Sequence, residues 1–183
     1  MAKQRFGQHF LRDLFVAQRE VSYAQLTEDD VVLEIGPGEG IITRLLAQQV
    51  KQVIAIEIDH RLVDKIKTTL PENVTLLVGD VLSIDFHSLS PFTKIVSNLP
   101  FEISSPVTFK LLEYPFSLAV LIYQKDFAQR LVAVPGTKAY SRLSVGVSYK
   151  ARCRILEDVP RSCFSPVPKV DSSIVELIRY KKP

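Results

Sequence analysis

The sequence predicts an α/β fold built on a mostly parallel sheet, and three observations carry that expectation. Short apolar runs rich in β-branched residues recur at a steady interval: Val31–Ile35, Val53–Ile56, Val74–Val78, Lys94–Val96 and Leu118–Ile122. They are continuous rather than alternating, as strands covered on both faces are. Segments with helical spacing lie between them, and the first run feeds a glycine turn, Gly36-Pro37-Gly38-Glu39-Gly40. Strand and helix in alternation call for right-handed crossovers and a doubly wound sheet.

In chain order, residues 8 to 26 read as helix before the first strand, Val31–Ile35. Ile41, Ile42, Leu45 and Leu46 form one apolar helical face; Leu62, Val63, Ile66 and Leu70 form the next, after the second strand. Val107, Leu111 and Leu112 supply a third, ahead of Leu118–Ile122. The rhythm then changes. Ser144 to Tyr149 and Ser173 to Tyr180 both alternate, joined by the proline-bearing stretch Val159 to Lys169. These are expected to be strands, an antiparallel pair completing a seven-stranded sheet. With no linker or internal repeat beyond this rhythm, residues 1–183 read as one domain: 1–26 the arm and helix, 27–183 the core.

The chain has 183 residues, 46% hydrophobic and 23% charged, ordinary for a globular protein with a real core. No apolar stretch approaches the ~20 residues that span a bilayer, and the start MAKQRFGQHF has no apolar signal segment. Cys153 and Cys163 lack metal or Cys-x-x-Cys spacing and read as reduced thiols of a cytoplasmic protein. His9, His60 and His87 are scattered, so no metal is expected. The net charge of +3 conceals a division: +3 over residues 1–12, −7 over 13–124 and +7 over 125–183. An acidic middle between basic ends suits two different ligands. Monomer is the default oligomeric expectation.

Glycines at a strand-to-helix turn let backbone approach a ligand at the sheet's C-terminal edge. Ile41 stands where a dinucleotide fingerprint needs its third glycine, and no Lys-Ser/Thr follows as in a phosphate loop. The acids Glu34 and Glu39 disfavour a pyrophosphate and suit a positively charged ligand. The second run ends in Glu57-Ile58-Asp59, and an acid at that strand end is placed to hold a ribose diol. Asp80, in Gly79-Asp80-Val81 after the third, is placed to take an exocyclic amine. S-adenosyl-L-methionine combines a ribose, an adenine, an ammonium and a sulfonium without phosphate. Asp59 and Glu39 also read as capping or solvated residues.

After the fourth run comes Asn98-Leu99-Pro100-Phe101. An adenine amine is a poor nucleophile because its lone pair is delocalised into the ring. The Asn98 amide oxygen and the Leu99 carbonyl, accepting both N–H bonds, would favour a pyramidal nitrogen. Pro100 stiffens the turn, and Phe101 offers a face for an extruded base, a contact worth ~1–3 kcal/mol. The bland alternative is an Asn-started turn with a core Phe.

Together these motifs resemble the ribosomal RNA small-subunit adenine N6,N6-dimethyltransferase family. The match runs from Phe6-Gly7-Gln8-His9-Phe10-Leu11 through Glu34–Gly40, Glu57, Gly79-Asp80 and Asn98–Phe101. It ends in Gln124-Lys125 and Phe164–Ser172. Ile103 to Leu112 resembles archaeal members. The resemblance implies a Rossmann-like class I S-adenosylmethionine-dependent methyltransferase fold acting on small-subunit ribosomal RNA or a pre-assembled small subunit. It implies cofactor contacts from Gln8, His9, Leu11, Glu34, Gly36, Gly38, Gly40, Glu57, Ile58, Asp80, Val81 and Asn98. The target adenine would be held by Asn98, Leu99, Pro100 and Phe101, with Phe164 either a second stacking face or a core plug. The phosphates would meet Lys125, Arg130 and Arg142, with Lys138, Lys150, Arg152 and Arg154 nearby. Many members have Tyr at Phe101, and members continue into a small helical domain beyond the point where this sequence stops, Lys182-Pro183. Dimethylation rests on the resemblance alone.

Rival readings meet the same residues. A large-subunit methyltransferase of the macrolide-resistance branch usually carries Ile at Leu99, and a DNA adenine methyltransferase more often carries Pro-Pro before the aromatic. An RNA-binding assembly factor with little activity would not need Asn98 and Glu57 intact. A nicotinamide oxidoreductase would need the third glycine.

Overall fold

The computed structural model describes residues 8–180. Lys3, Arg5, the Phe6-Gly7 start of the family motif and the Lys182-Pro183 end lie outside the described residues.

Strand β1 (Phe10–Leu11) and helix α1 (Leu14–Tyr23) come first. There follow β2 (Val31–Ile35), α2 (Ile41–Ala47), β3 (Gln52–Glu57), α3 (His60–Ile66), β4 (Val74–Val78), β5 (Lys94–Asn98), α4 (Ser104–Glu113) and β6 (Leu118–Gln124). The chain closes with α5 (Lys125–Leu131), α6 (Arg142–Lys150), β7 (Ala151–Val159), β8 (Phe164–Ser165) and β9 (Ser172–Arg179). Seven strands form one sheet in the order β4-β3-β2-β5-β6-β9-β7. β2 pairs in parallel with β3 and β5, β3 with β4, and β5 with β6; β9 runs antiparallel to both β6 and β7. The order reverses beside β2, so its C-terminal end opens into the crevice where such sheets bind ligands.

Alternation along the strands separates two cores. Leu33, Ile35, Ile54, Ile56, Ile95 and Leu121 face one side and pack with Val107, Leu111 and Leu112 of α4 and Leu143 and Val147 of α6. Val32, Val53, Val96 and Val120 face the other and pack with Val16, Ala17 and Val21 of α1 and Ile42 and Leu46 of α2. By the same parity Glu34, Glu57 and Asn98 belong to the α1–α2 side.

Two expectations are corrected. Ser144 to Tyr149 is helix α6, not a strand; the partner of β9 is β7, which starts at Ala151. The alternation there comes from two apolar faces of one helix, with Leu143 and Val147 buried and Val145 and Tyr149 exposed. Residues 8 to 26 are helical only over Leu14–Tyr23, where Asp13 caps the start by accepting from the Val16 N–H at 3.1 Å. Before it, Phe10 and Leu11 pair antiparallel with Ser165 and Phe164 in a two-stranded ribbon, which ties the arm to the proline-bearing stretch.

Candidate active site

A cavity opens at the C-terminal ends of β2, β3, β4 and β5. It is lined by Gln8, His9 and Leu11 of the arm, Glu34, Gly36 and Gly38, Glu57 and Ile58, Asp80 and Val81, and Asn98 through Phe101. Thus the residues expected to hold cofactor and target share one hollow, with two exceptions: Gly40, which caps α2 with φ 81°, and Phe164, which does not line it.

The glycine turn is built for close approach. Gly36 and Gly38 have φ of 69° and 57°, the left-handed region that disfavours side chains. A Cβ on Gly38 would meet the Phe10 ring at 2.9 Å, so the arm itself covers the turn. Arg12, which the sequence reading did not assign, forms an ion pair with Glu39, and Lys65 donates to the other oxygen of Glu39 at 2.7 Å. Lys65 chiefly, with Arg12, holds the Glu39 carboxyl below the usual range. Glu39 is therefore a tether between arm and turn, and its charge is spent on protein cations. Asp59 is likewise engaged, capping α3 through the Arg61 N–H at 3.0 Å and pairing with the Arg61 guanidinium at 2.7 Å.

Glu57 is buried and accepts from the Gly38 N–H at 3.2 Å and the Asp59 N–H at 3.0 Å. These bonds fix the carboxylate at the cavity floor, while burial raises its pKa. Asp80 is exposed and accepts from the Leu82 N–H at 2.9 Å, which holds the β4 exit loop. Glu34 is 1% exposed, and its Oε2 has no hydrogen-bond partner. Burial pushes its carboxyl up to about 8. The helical spacing of Val16, Ala17 and Val21 places Glu20 on the same apolar face of α1, a signal the sequence reading passed over; its carboxyl is fully buried behind Glu34.

On the target side, Asn98 Nδ2 donates to the His9 carbonyl at 3.3 Å. Only the amide N–H₂ can face a carbonyl, so this bond fixes the amide and leaves Oδ1 buried without a partner. Pro100, with φ −57° and ψ 125°, turns the chain toward Phe101. The Phe101 ring stacks on His9, with centroids 5.7 Å apart, and meets the Phe164 ring edge-on at 6.5 Å. His9 Nδ1–H donates to the Pro166 carbonyl at 2.7 Å. Phe164 is 2% exposed and packs with the α1–α2 core, so in this structure it sits as a plug behind Phe101 rather than presenting a free face.

The basic residues lie apart from the cavity. Arg130 and Arg142 are exposed on α5 and α6, whereas Lys125 pairs with Asp158 at 2.6 Å. Lys110 of α4, also unassigned from sequence, donates to the carbonyls of Leu82 and Ile84 and lies 4.8 Å above the Phe86 ring. It braces the loop that carries Asp80. Among the described residues no group of three or more His, Cys, Asp and Glu is placed to hold a metal ion. The lining suits S-adenosylmethionine: two buried acids, of which Glu34 keeps an unpartnered oxygen, a backbone cradle and an exposed acid at the next strand end.

Comparison with known proteins agrees with this geometry. The family described as ribosomal RNA adenine dimethylase matches residues 1–183. A probable ribosomal RNA small subunit methyltransferase A of Methanothermobacter thermautotrophicus is 48% identical over 179 residues, covering 96% of this chain and 63% of its own length. The chain therefore spans just under two thirds of that relative. A dimethyladenosine transferase from Plasmodium falciparum superposes with TM-score 0.87 at 36% identity, over 94% of this chain and 64% of that one. The 23S rRNA methyltransferase ErmE gives 0.80 at 35% identity, over 95% and 71%. The fold is that of class I S-adenosylmethionine-dependent methyltransferases. With motif order, cavity and comparison in agreement, this chain belongs to the ribosomal RNA adenine dimethylase family.

Proposed function

We propose that this protein transfers methyl groups from S-adenosyl-L-methionine to N6 of adenosines in small-subunit ribosomal RNA, two per adenosine. The observation that carries the reading is the buried, unpartnered Oδ1 of Asn98 in a cavity shared with Glu57 and the glycine turn. A buried acceptor without a donor costs about 1–3 kcal/mol, and an incoming amine N–H removes that cost. When bound, the cofactor supplies a methyl group already activated on a sulfonium. Glu57 holds the ribose hydroxyls, Asp80 the adenine amine, and Glu34 faces the cationic end. Asn98 and the Leu99 carbonyl accept the target N–H bonds, orienting the nitrogen lone pair; Phe101 carries the flipped base. No strong general base is needed, because the proton leaves after transfer.

Small-subunit over large-subunit RNA is favoured by the small-subunit name of the 48% identical relative, against 35% identity to ErmE. Arg130 and Arg142 are proposed to meet phosphates; Lys125 joins them only if Asp158 releases it. Residues 1–183 are read as one catalytic domain, a reading supported by the one seven-stranded sheet running from β2 to β9. Two free thiols suit a reducing, cytoplasmic setting, and the protein is read as a monomer. Labelled methyl transfer to unmethylated small subunits, followed by nucleoside analysis, tests the function. N6,N6-dimethyladenosine is the expected product; label only in large-subunit RNA would overturn the substrate assignment.

A further inference from the structure

Glu34 is the least satisfied acid of the cavity. Its strand parity turns it toward α1 and α2, and what it meets there is not a cation. Glu20 of α1 is 0% exposed with neither carboxyl oxygen well hydrogen-bonded, and Thr43 of α2, also 0% exposed, offers Glu34 only a neutral hydroxyl in weak geometry. The remaining titratable groups around the hollow are committed or distant in role. Glu57 already accepts two backbone N–H bonds; Glu39 is paired with Arg12 and Lys65; Asp80 and Glu102 are exposed; His9 is bonded to Pro166. Among the described residues no Lys or Arg hydrogen-bonds or pairs with Glu34 or Glu20. An ionised carboxylate in that position would be buried with only the Thr43 hydroxyl to offset it and with Glu57 close by, which favours the neutral acid.

We propose that Glu34 is protonated in the free protein and gives up its proton to solvent when the cationic end of the cofactor enters the cavity. The inference rests on the S-adenosylmethionine reading above. An ammonium or sulfonium supplies the opposite charge that the protein withholds, so the bound state favours the carboxylate. Glu20, sealed behind Glu34, keeps its own proton throughout: once Glu34 is charged, a second charge beside it is disfavoured further. The sign follows. Burial has raised the free carboxyl, so below about pH 8 binding must expel a proton. Cofactor affinity then rises about tenfold per pH unit toward that value and levels off above it. Cofactor capture is thereby tied to pH by a residue that need not touch the target base.

Isothermal titration of the protein with S-adenosylmethionine at pH 7, in buffers of different ionisation enthalpy, counts the protons. About one proton released per site is expected for wild type, and none for Glu34→Gln; the difference cancels the cofactor's own amine. 5′-Methylthioadenosine, which has the adenosine end without the charges, is expected to bind wild type with no release. Glu20→Gln is expected to release as wild type does. Heats independent of buffer in wild type overturn the inference, as does equal release with the uncharged ligand. Loss of release in Glu20→Gln moves the proton to Glu20 and overturns the assignment to Glu34. Absence of any S-adenosylmethionine binding contradicts the cofactor reading instead.

Discussion

A Cβ placed on Gly36 would stand 3.4 Å from both Cγ and Cδ of Pro100, so the cofactor turn and the target motif are two sides of one wall. Gly36 also lies at φ 69°, where an L side chain is strained by ~1–2 kcal/mol. Gly36→Ala is expected to lower stability by about that amount and to weaken cofactor binding and methyl transfer together. Denaturant midpoints and cofactor titration check this; an unchanged midpoint would remove the strain argument.

Glu57 is fixed by the N–H groups of Gly38 and Asp59 before any ligand arrives. Glu57→Gln loses the charge-assisted bonds to the ribose, each worth ~1.5–3 kcal/mol, and turns its N–H₂ against one of the two backbone donors. The cofactor dissociation constant is expected to rise about tenfold to a hundredfold. An unchanged constant would take the ribose away from Glu57.

Glu20→Leu is expected to stabilise the protein by ~1–3 kcal/mol, because it removes two buried oxygens with no partner. Burial raises the Glu20 carboxyl well above its ordinary 4.5, so the native state holds that proton more tightly than the unfolded chain. The wild-type contribution is therefore intact below pH 4.5 and is lost progressively as pH rises toward the folded value. The advantage of Glu20→Leu should be larger at pH 8 than at pH 5. Equal gains at the two pH values by chemical denaturation would contradict this.

The sheet and the glycine turn were legible because a parallel strand buried on both faces has few other ways to read. Val31–Ile35 holds at both levels for that reason, and the expected Leu118–Ile122 is extended by two residues to Gln124. Helix α6 was not legible as helix: Val145 and Tyr149 are apolar yet exposed, and with Leu143 and Val147 they imitate a period of two. The glycine turn, the acidic strand ends and Asn98 stood out by their place after the strands, whereas Gln8, His9 and Leu11 came only from the family resemblance. Arg12, Lys65 and Lys110 were not legible, since each acts through a partner 26 to 28 residues away that only the fold brings near. Arg12 to Glu39, at 27 residues, is the same case. Phe164 left two readings open in sequence, and packing against α1 and α2 chose the plug for this structure.

Lys110 links α4, which follows the target motif, to the Asp80 loop through the Leu82 and Ile84 carbonyls. Lys110→Met keeps the stem over Phe86 and loses both bonds. Hydrogen exchange over residues 80–84 is expected to quicken, and the cofactor dissociation constant to rise about tenfold, near the ~1 kcal/mol of a typical hydrogen bond or somewhat above it. Unchanged exchange in that loop would show that the brace is dispensable.

Which ligand completes the Asn98 amide decides the function of the cavity. The most direct measurement sets equilibrium cofactor binding beside single-turnover methyl transfer for Asn98→Ala, on unmethylated small subunits. The predicted result is a cofactor dissociation constant within about threefold of wild type and transfer slowed by about 100-fold or more, the scale of losing one preorganised polar group. Binding lost in step with transfer would contradict it, and would place the Asn98 oxygen on the cofactor instead of the target amine.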